Sequence, residues 1–147
     1  MTIRKPWTWK NVDLSREEKE ALSRHFQLDL FRVFLETDPN NIEILLELGN
    51  LYTLTGQIQE GLYVDKKLVE IQPKEPIFHY NLACSQSLLG EVNGALDSLQ
   101  QAIDLGYNNL EYIQEDSDLE TIRKDSRFSK LLDHLRLKSL KSKEKYK

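Results

Sequence analysis

The chain has 147 residues, 39% of them hydrophobic, 30% charged and 9% aromatic, with six glycines and four prolines. That is the size of one domain with enough apolar material for a core, and the composition excludes a collagen-like, low-complexity or disulfide-stapled chain. The net charge of -4 hides an asymmetry: residues 33–122 hold 16 acidic and 3 basic side chains and residues 123–147 hold 3 acidic and 10 basic, a pattern that suits a basic partner for the body, an acidic one for the tail, contact between the two, or solubility alone.

At the N-terminus, "MTIRKPWTWKNVDLS" has no apolar leader core, and no run anywhere approaches the roughly eighteen apolar residues of a membrane span. Export and membrane insertion are not expected. The only cysteine, Cys84, cannot form an internal disulfide, which fits a reducing, cytoplasmic compartment. Residues 1–14 read as an arm in which Arg4, Lys5 and Lys10 surround Trp7 and Trp9. Two tryptophans on an arm imply docking, either on the first helices or as a ligand segment within or between molecules.

Ser15 and Glu18 form a capping-box pattern, and neither glycine nor proline interrupts residues 16–38, so one long helix or a tight pair is predicted there. Leu22, Phe26, Leu30 and Phe34 supply its apolar stripe. Further on, an offset of 34 positions pairs Leu48 with Leu82, Gly56 with Gly90, Gly61 with Ala95, Leu62 with Leu96 and Val69 with Ile103. A second step back pairs Pro73 with Pro39 and Leu62 with Leu28. Each unit has two amphipathic segments around a glycine turn. Gly56 should relieve a helix C-terminus, Gly61 should mark a close helix approach, and Pro39 and Pro73 should separate units. After Gly106, a short helix is predicted beyond Asn109, then a turn at Asp116–Asp118, and a last helix beyond Asp125 with Phe128, Leu131, Leu132 and Leu135 on one face. Past about Leu140 the tail "KSKEKYK" should fray.

Residues 42–75, "IEILLELGNLYTLTGQIQEGLYVDKKLVEIQPKE", resemble a tetratricopeptide repeat through Leu48, Gly49 and Tyr52, with Leu45 in the tryptophan position and Asp65 where an aromatic is usual. Residues 76–109 resemble a second through Leu82, Gly90, Ala95 and Ala102. The resemblance implies an all-α, right-handed α-α superhelix, a short solenoid of helix-turn-helix repeats. One domain over 15–140 would hold a half repeat (25–41), the two repeats and a C-terminal cap (110–140), followed by a basic tail (141–147). It further implies a concave groove lined by the first helix of each unit: Glu43, Glu47, Asn50 and Thr53, then Tyr80, Asn81, Cys84 and Ser87, then Glu111, Gln114 and Glu115.

The cluster His79, Asn81 and Cys84 has the residue types of a thiol hydrolase, but on a helix His79 and Cys84 project roughly 140° apart and cannot meet. His79 instead occupies a packing position. His25 and His134 lack zinc-ligand partners, and the glycines form no phosphate loop, so no catalytic activity, metal or cofactor is expected. Asn50 and Asn81 match the asparagines that hold a peptide carboxylate in chaperone-binding members of the family. The basic residues of that clamp are missing, with Leu46 and Glu111 at or near their places. The expected function is therefore a protein-binding adaptor whose acidic groove takes a basic or apolar peptide segment, with Tyr80 offering an aromatic face. The alternatives are nucleic-acid or anionic-surface binding through Arg123, Lys124, Arg127, Lys130, Arg136, Lys138 and Lys141–Lys147, disfavoured because no aromatics interleave the charges, and self-association.

Overall fold

The computed structural model of the protein describes residues 14–144, with side chains through Leu140. The expectations for Trp7 and Trp9, and for residues 145–147, lie outside the described residues. Helix α1 (Arg16–Thr37) is a single helix opened by the capping box: Ser15 Oγ accepts from the Glu18 amide at 3.2 Å, and Glu18 Oε2 accepts from the Ser15 amide at 2.8 Å. Its packing face differs from the predicted stripe. Leu28, Phe31 and Leu35 turn into the core, whereas Leu22, Phe26, Leu30 and Phe34 are exposed. The reason is positional, since α1 packs substantially only on the helix that follows it.

That helix, α2 (Ile42–Leu54), is capped by Asn41, whose Oδ1 accepts from the Ile44 amide at 3.1 Å. Gly56, at φ 73°, takes the left-handed conformation that lets the chain reverse into α3 (Ile58–Ile71). Gly90, at φ 76°, repeats the device between α4 (Pro76–Leu88) and α5 (Val92–Leu105). Pro76 opens α4, where its fixed φ suits the helix and its missing N–H would have had no intrahelical partner. Around Gly61 the helices come close, but a Cβ there would meet Tyr52 Cβ at 3.7 Å and Ser85 Oγ at 3.8 Å, ordinary contacts that leave room for a methyl group.

Helices α2 and α3 form one antiparallel pair, α4 and α5 the next, and α3 packs on α4 to stack them. The result is the right-handed superhelix of a helical repeat, with two buried clusters. Leu28, Leu45, Leu48, Leu51, Tyr52, Val64, Leu68 and Phe78 build the first. The second runs from Tyr80 and Ala83 through Leu99 and Ile103 to the C-terminal unit.

In that unit α6 (Leu110–Glu115) is capped by Asn109, and a 3-10 turn (Ser117–Leu119) leads into a one-turn helix, α7 (Glu120–Arg123), which the sequence pattern did not announce. Helix α8 (Ser126–Glu144) buries Phe128, Leu131, Leu132 and Leu135 as expected, and continues past Leu140 where fraying was predicted. Its basic residues are partly tied down. Lys138 Nζ lies 3.7 Å from Asp104 and donates to the Ile103 carbonyl at 3.3 Å, while Arg127 and Arg136 pair with Asp125 and Asp133.

Candidate functional site

A groove of about 500 Å³ lies along the inner side of the solenoid, between α2, α4 and the segment after α6. Helix α2 contributes Leu46, Glu47, Gly49, Asn50, Thr53 and Leu54, at the three- and four-residue spacing of one helix face. From α4 come Tyr80, Asn81, Cys84, Ser85 and Leu88, and from the C-terminal unit Tyr112, Asp116 and Asp118. Asp65 reaches the floor from α3.

The floor is polar and closely bonded. Ser85 Oγ donates to Asp65 Oδ2 at 2.5 Å, a buried contact joining the two repeats. Burial pushes the Asp65 carboxyl up to about 6, against the opposing effect of the Ser85 hydroxyl. Tyr80 donates its hydroxyl to Asp116 Oδ2 at 2.6 Å, and the Cys84 thiol lies 3.7 Å from the same oxygen. Burial, followed by the charges of Asp116 and Asp118, raises the Cys84 thiol far above its ordinary range, and it stays protonated. Asp118 is also raised, by burial and then by Asp116. Glu47, Asp65, Asp116 and Asp118 thus give the groove four carboxyl groups, and no lysine or arginine is among its described lining residues.

The predicted residues divide. Glu47, Asn50, Thr53, Tyr80, Asn81 and Cys84 line the groove. Glu43, Glu111, Gln114 and Glu115 are exposed but are not part of its lining. Helix α6 is only six residues long, and Tyr112 rather than its acidic residues turns inward. Ser87 is a correction: it is fully buried, because α4 is enclosed by α3, α5, the 3-10 turn and α7. Its hydroxyl finds no hydrogen-bond partner among the described residues. Tyr80 is the second correction. Its ring is 3% exposed and stacks on Tyr107 with centroids 4.3 Å apart, so it has no free aromatic face. Tyr112, 53% exposed and 5.9 Å from the Tyr80 ring, presents one instead.

Besides Leu46, which stands at the place of the absent clamp lysine, the lining holds Gly49, Leu54, Asp65, Ser85, Leu88, Tyr112, Asp116 and Asp118, none of them among the expected groove residues. For Asp65 a signal existed, a carboxylate at a position where the repeat pattern has an aromatic. Of His79, Asn81 and Cys84, the last two share the groove and His79 points away from it. His79 Nε2 donates to the Pro73 carbonyl at 2.8 Å, at the joint between repeats, and Cys84 faces Asp116. No group of three or more potential metal ligands occurs among the described residues.

Repeat period, left-handed glycine turns and stacked helix pairs together define tetratricopeptide-type repeats in an all-helical superhelix. Solved structures agree. A crystal structure of MamA protein covers 87% of this chain and 68% of its own, with a TM-score of 0.65 at 22% identity. A second MamA crystal structure gives a TM-score of 0.63, covering 88% of this chain and 75% of its own at 22% identity. Among curated proteins, a chloroplastic protein of Arabidopsis thaliana is 32% identical over 90 residues, covering 59% of this chain. Superkiller protein 3 of Saccharomyces cerevisiae is 28% identical over 95 residues, covering 65%. The chain spans 27% and 6% of the lengths of these two relatives. No family model matches it. No helix among the described residues is long and apolar enough to cross a membrane.

Proposed function

We propose that the chain is a non-catalytic adaptor that binds a basic or partly apolar peptide segment of another protein in its acidic groove, in a cytoplasmic setting. One observation carries this reading: four carboxyl groups line the groove without a basic neighbour among its described lining residues, next to the apolar rim of Leu46, Leu54 and Leu88. A lysine or arginine side chain would meet Glu47, Asp116 and Asp118, with the exposed Tyr112 ring available to its cation, while apolar neighbours rest on the leucines. A peptide carboxylate would instead meet like charge. The free, buried Cys84 is compatible with a reducing compartment. Against nucleic-acid binding through α8 stands the pairing of Arg127, Arg136 and Lys138 with carboxylates of the chain.

Titration calorimetry against a set of short peptides matched in length and differing in charge tests the reading. Lysine- and arginine-bearing peptides should bind with a salt-sensitive affinity that the double variant Glu47→Gln, Asp118→Asn weakens about tenfold or more. Equal binding of acidic peptides, or unchanged binding by the double variant, would reject the groove as the site.

A further inference from the structure

The first repeat carries a second groove, of about 440 Å³, on the side of α2 roughly opposite the concave one. Leu45, Leu48 and Val64 make an apolar floor, with Leu35 of α1 on one side and Tyr63 of α3 on the other. Tyr63 is 70% exposed there. The volume is that of a binding cleft, far above a packing defect.

The second repeat shows that the fold does not require this opening. One period on, Gln86 stands for Tyr52, Gly94 for Glu60 and Ser98 for Val64. Gln86 Oε1 accepts from Ser98 Oγ at 2.7 Å, and its amide lies where a Cβ on residue 94 would stand, so one side chain fills the space between α4 and α5. Tyr52 does not do the same in the first repeat. Arg32 Nε donates to its hydroxyl at 3.2 Å, and the guanidinium lies 5.7 Å from the ring centroid. These contacts hold Tyr52 toward α1, and the space beside α3 stays open.

Two charges of opposite sign mark its ends. Glu60 and Lys67 line the groove and stand on one face of α3, about 10 Å apart along the helix. Neither has a hydrogen-bond or ion-pair partner among the described residues. On α2, Tyr52 and Leu45 are separated by the same two turns. A cleft two turns long and walled by helices suits an amphipathic helix, whose anchors at i, i+3 or i+4, and i+7 fall within it. Its charges are then fixed by the ends of the cleft: an acidic residue meets Lys67, and a basic residue two turns away meets Glu60.

We propose that this outer groove docks an amphipathic helix of a partner protein, apolar toward Leu45, Leu48 and Val64, with a carboxylate on Lys67 and a cation on Glu60. The site is separate from the concave groove, so the chain holds two partners at once, on opposite sides of α2.

The probes are three helical peptides of about sixteen residues with the same leucine anchors. One carries an acid and a base two turns apart at the ends of its apolar face, one carries two acids and one carries two bases. Methyl and amide NMR of the full chain should show the mixed peptide shifting Leu48 and Val64 while leaving Asn50 and Asn81 in place, and binding several-fold more tightly than the other two. Lys67→Glu should transfer the preference to the two-base peptide and Glu60→Lys to the two-acid peptide, each by about fivefold or more, in variants that circular dichroism shows to be folded. Equal binding of the three peptides, folded variants that keep the parent's preference, or shifts at Asn50 and Asn81 without shifts at Leu48 and Val64 would overturn the proposal. So would two other occupants: a second copy, if these methyls shift with protein concentration as sedimentation shows dimers, or a small amphiphile, if dodecanoate shifts them at lower concentration than any of the peptides.

Discussion

Ser85 and Asp65 join the two repeats through a buried hydrogen bond of 2.5 Å, from the first helix of one unit to the second helix of the unit before. The contact places a carboxyl where packing alone would favour an apolar group. Desolvation of that carboxyl exceeds what one hydroxyl returns, and so its affinity for a proton rises.

The pH dependence of stability follows in sign. The folded chain holds the Asp65 proton up to about 6 against an ordinary 3.8, so it binds more protons than the unfolded chain between those values. Folding should therefore lose stability as pH rises through that window. Asp65→Asn keeps an acceptor for Ser85 and removes the buried charge. Urea titrations should find it more stable than the parent at pH 7, by on the order of 2 kcal/mol, with a smaller difference at pH 4.

Glycines inside helices differ in what they permit. Gly61→Ala should stabilise the fold by about 0.5–1 kcal/mol, because the added methyl meets only ordinary contacts and the helix gains propensity. Gly94→Ala should gain less or lose stability. Its Cβ would stand 2.5 Å from Gln86 Nε2, and moving that side chain disturbs the 2.7 Å bond that Gln86 accepts from Ser98. Thermal melts of the two variants provide the comparison.

Ser87 carries a hydroxyl into a fully buried site without a partner among the described residues. Ser87→Ala removes that polar atom with little change in volume, and denaturant unfolding should show it equal to the parent or more stable by up to about 1 kcal/mol. A loss of stability instead would reveal a bond made by the hydroxyl.

Cys84 should be inert while the chain is folded. Its thiol is buried and held protonated beside Asp116, so labelling by a thiol-specific disulfide reagent at neutral pH should be slow and should accelerate only through the unfolding transition. Tyr80→Phe deletes the 2.6 Å bond to Asp116 and should destabilise the chain by about 1–2 kcal/mol, with faster labelling at equal denaturant.

The fold was legible because its signals are local or periodic. Gly56 and Gly90 recur at the repeat period and both take positive φ, and the i, i+3, i+4, i+7 set from Phe128 to Leu135 is buried. Register also brought Glu47, Asn50, Thr53 and Asn81 to the groove. It failed where a residue's surroundings depend on distant chain. Helical spacing gave no sign that Tyr107 would cover Tyr80, or that α7 would help enclose α4 around Ser87. In α1 the pattern holds two apolar faces, and spacing alone does not rank them; the neighbour on one side does. Asp116 and Asp118 read as turn formers and serve as such, Asp116 Oδ1 accepting from the Asp118 amide, yet the turn also carries both carboxyl groups into the groove.

The two buried clusters meet on a single helix, with Phe78 of α4 belonging to one and Tyr80, two residues later, to the other. Helix α4 is thus the keystone of a nearly one-dimensional structure. Fraying can proceed inward from α1 or from α8 and spare the opposite half, but loosening α4 dissolves both halves at once. Its amides should be the last to exchange with solvent deuterium, opening only with the whole chain. A ligand laid across Asn81 and Leu88 would then grip the one element whose order all the others share.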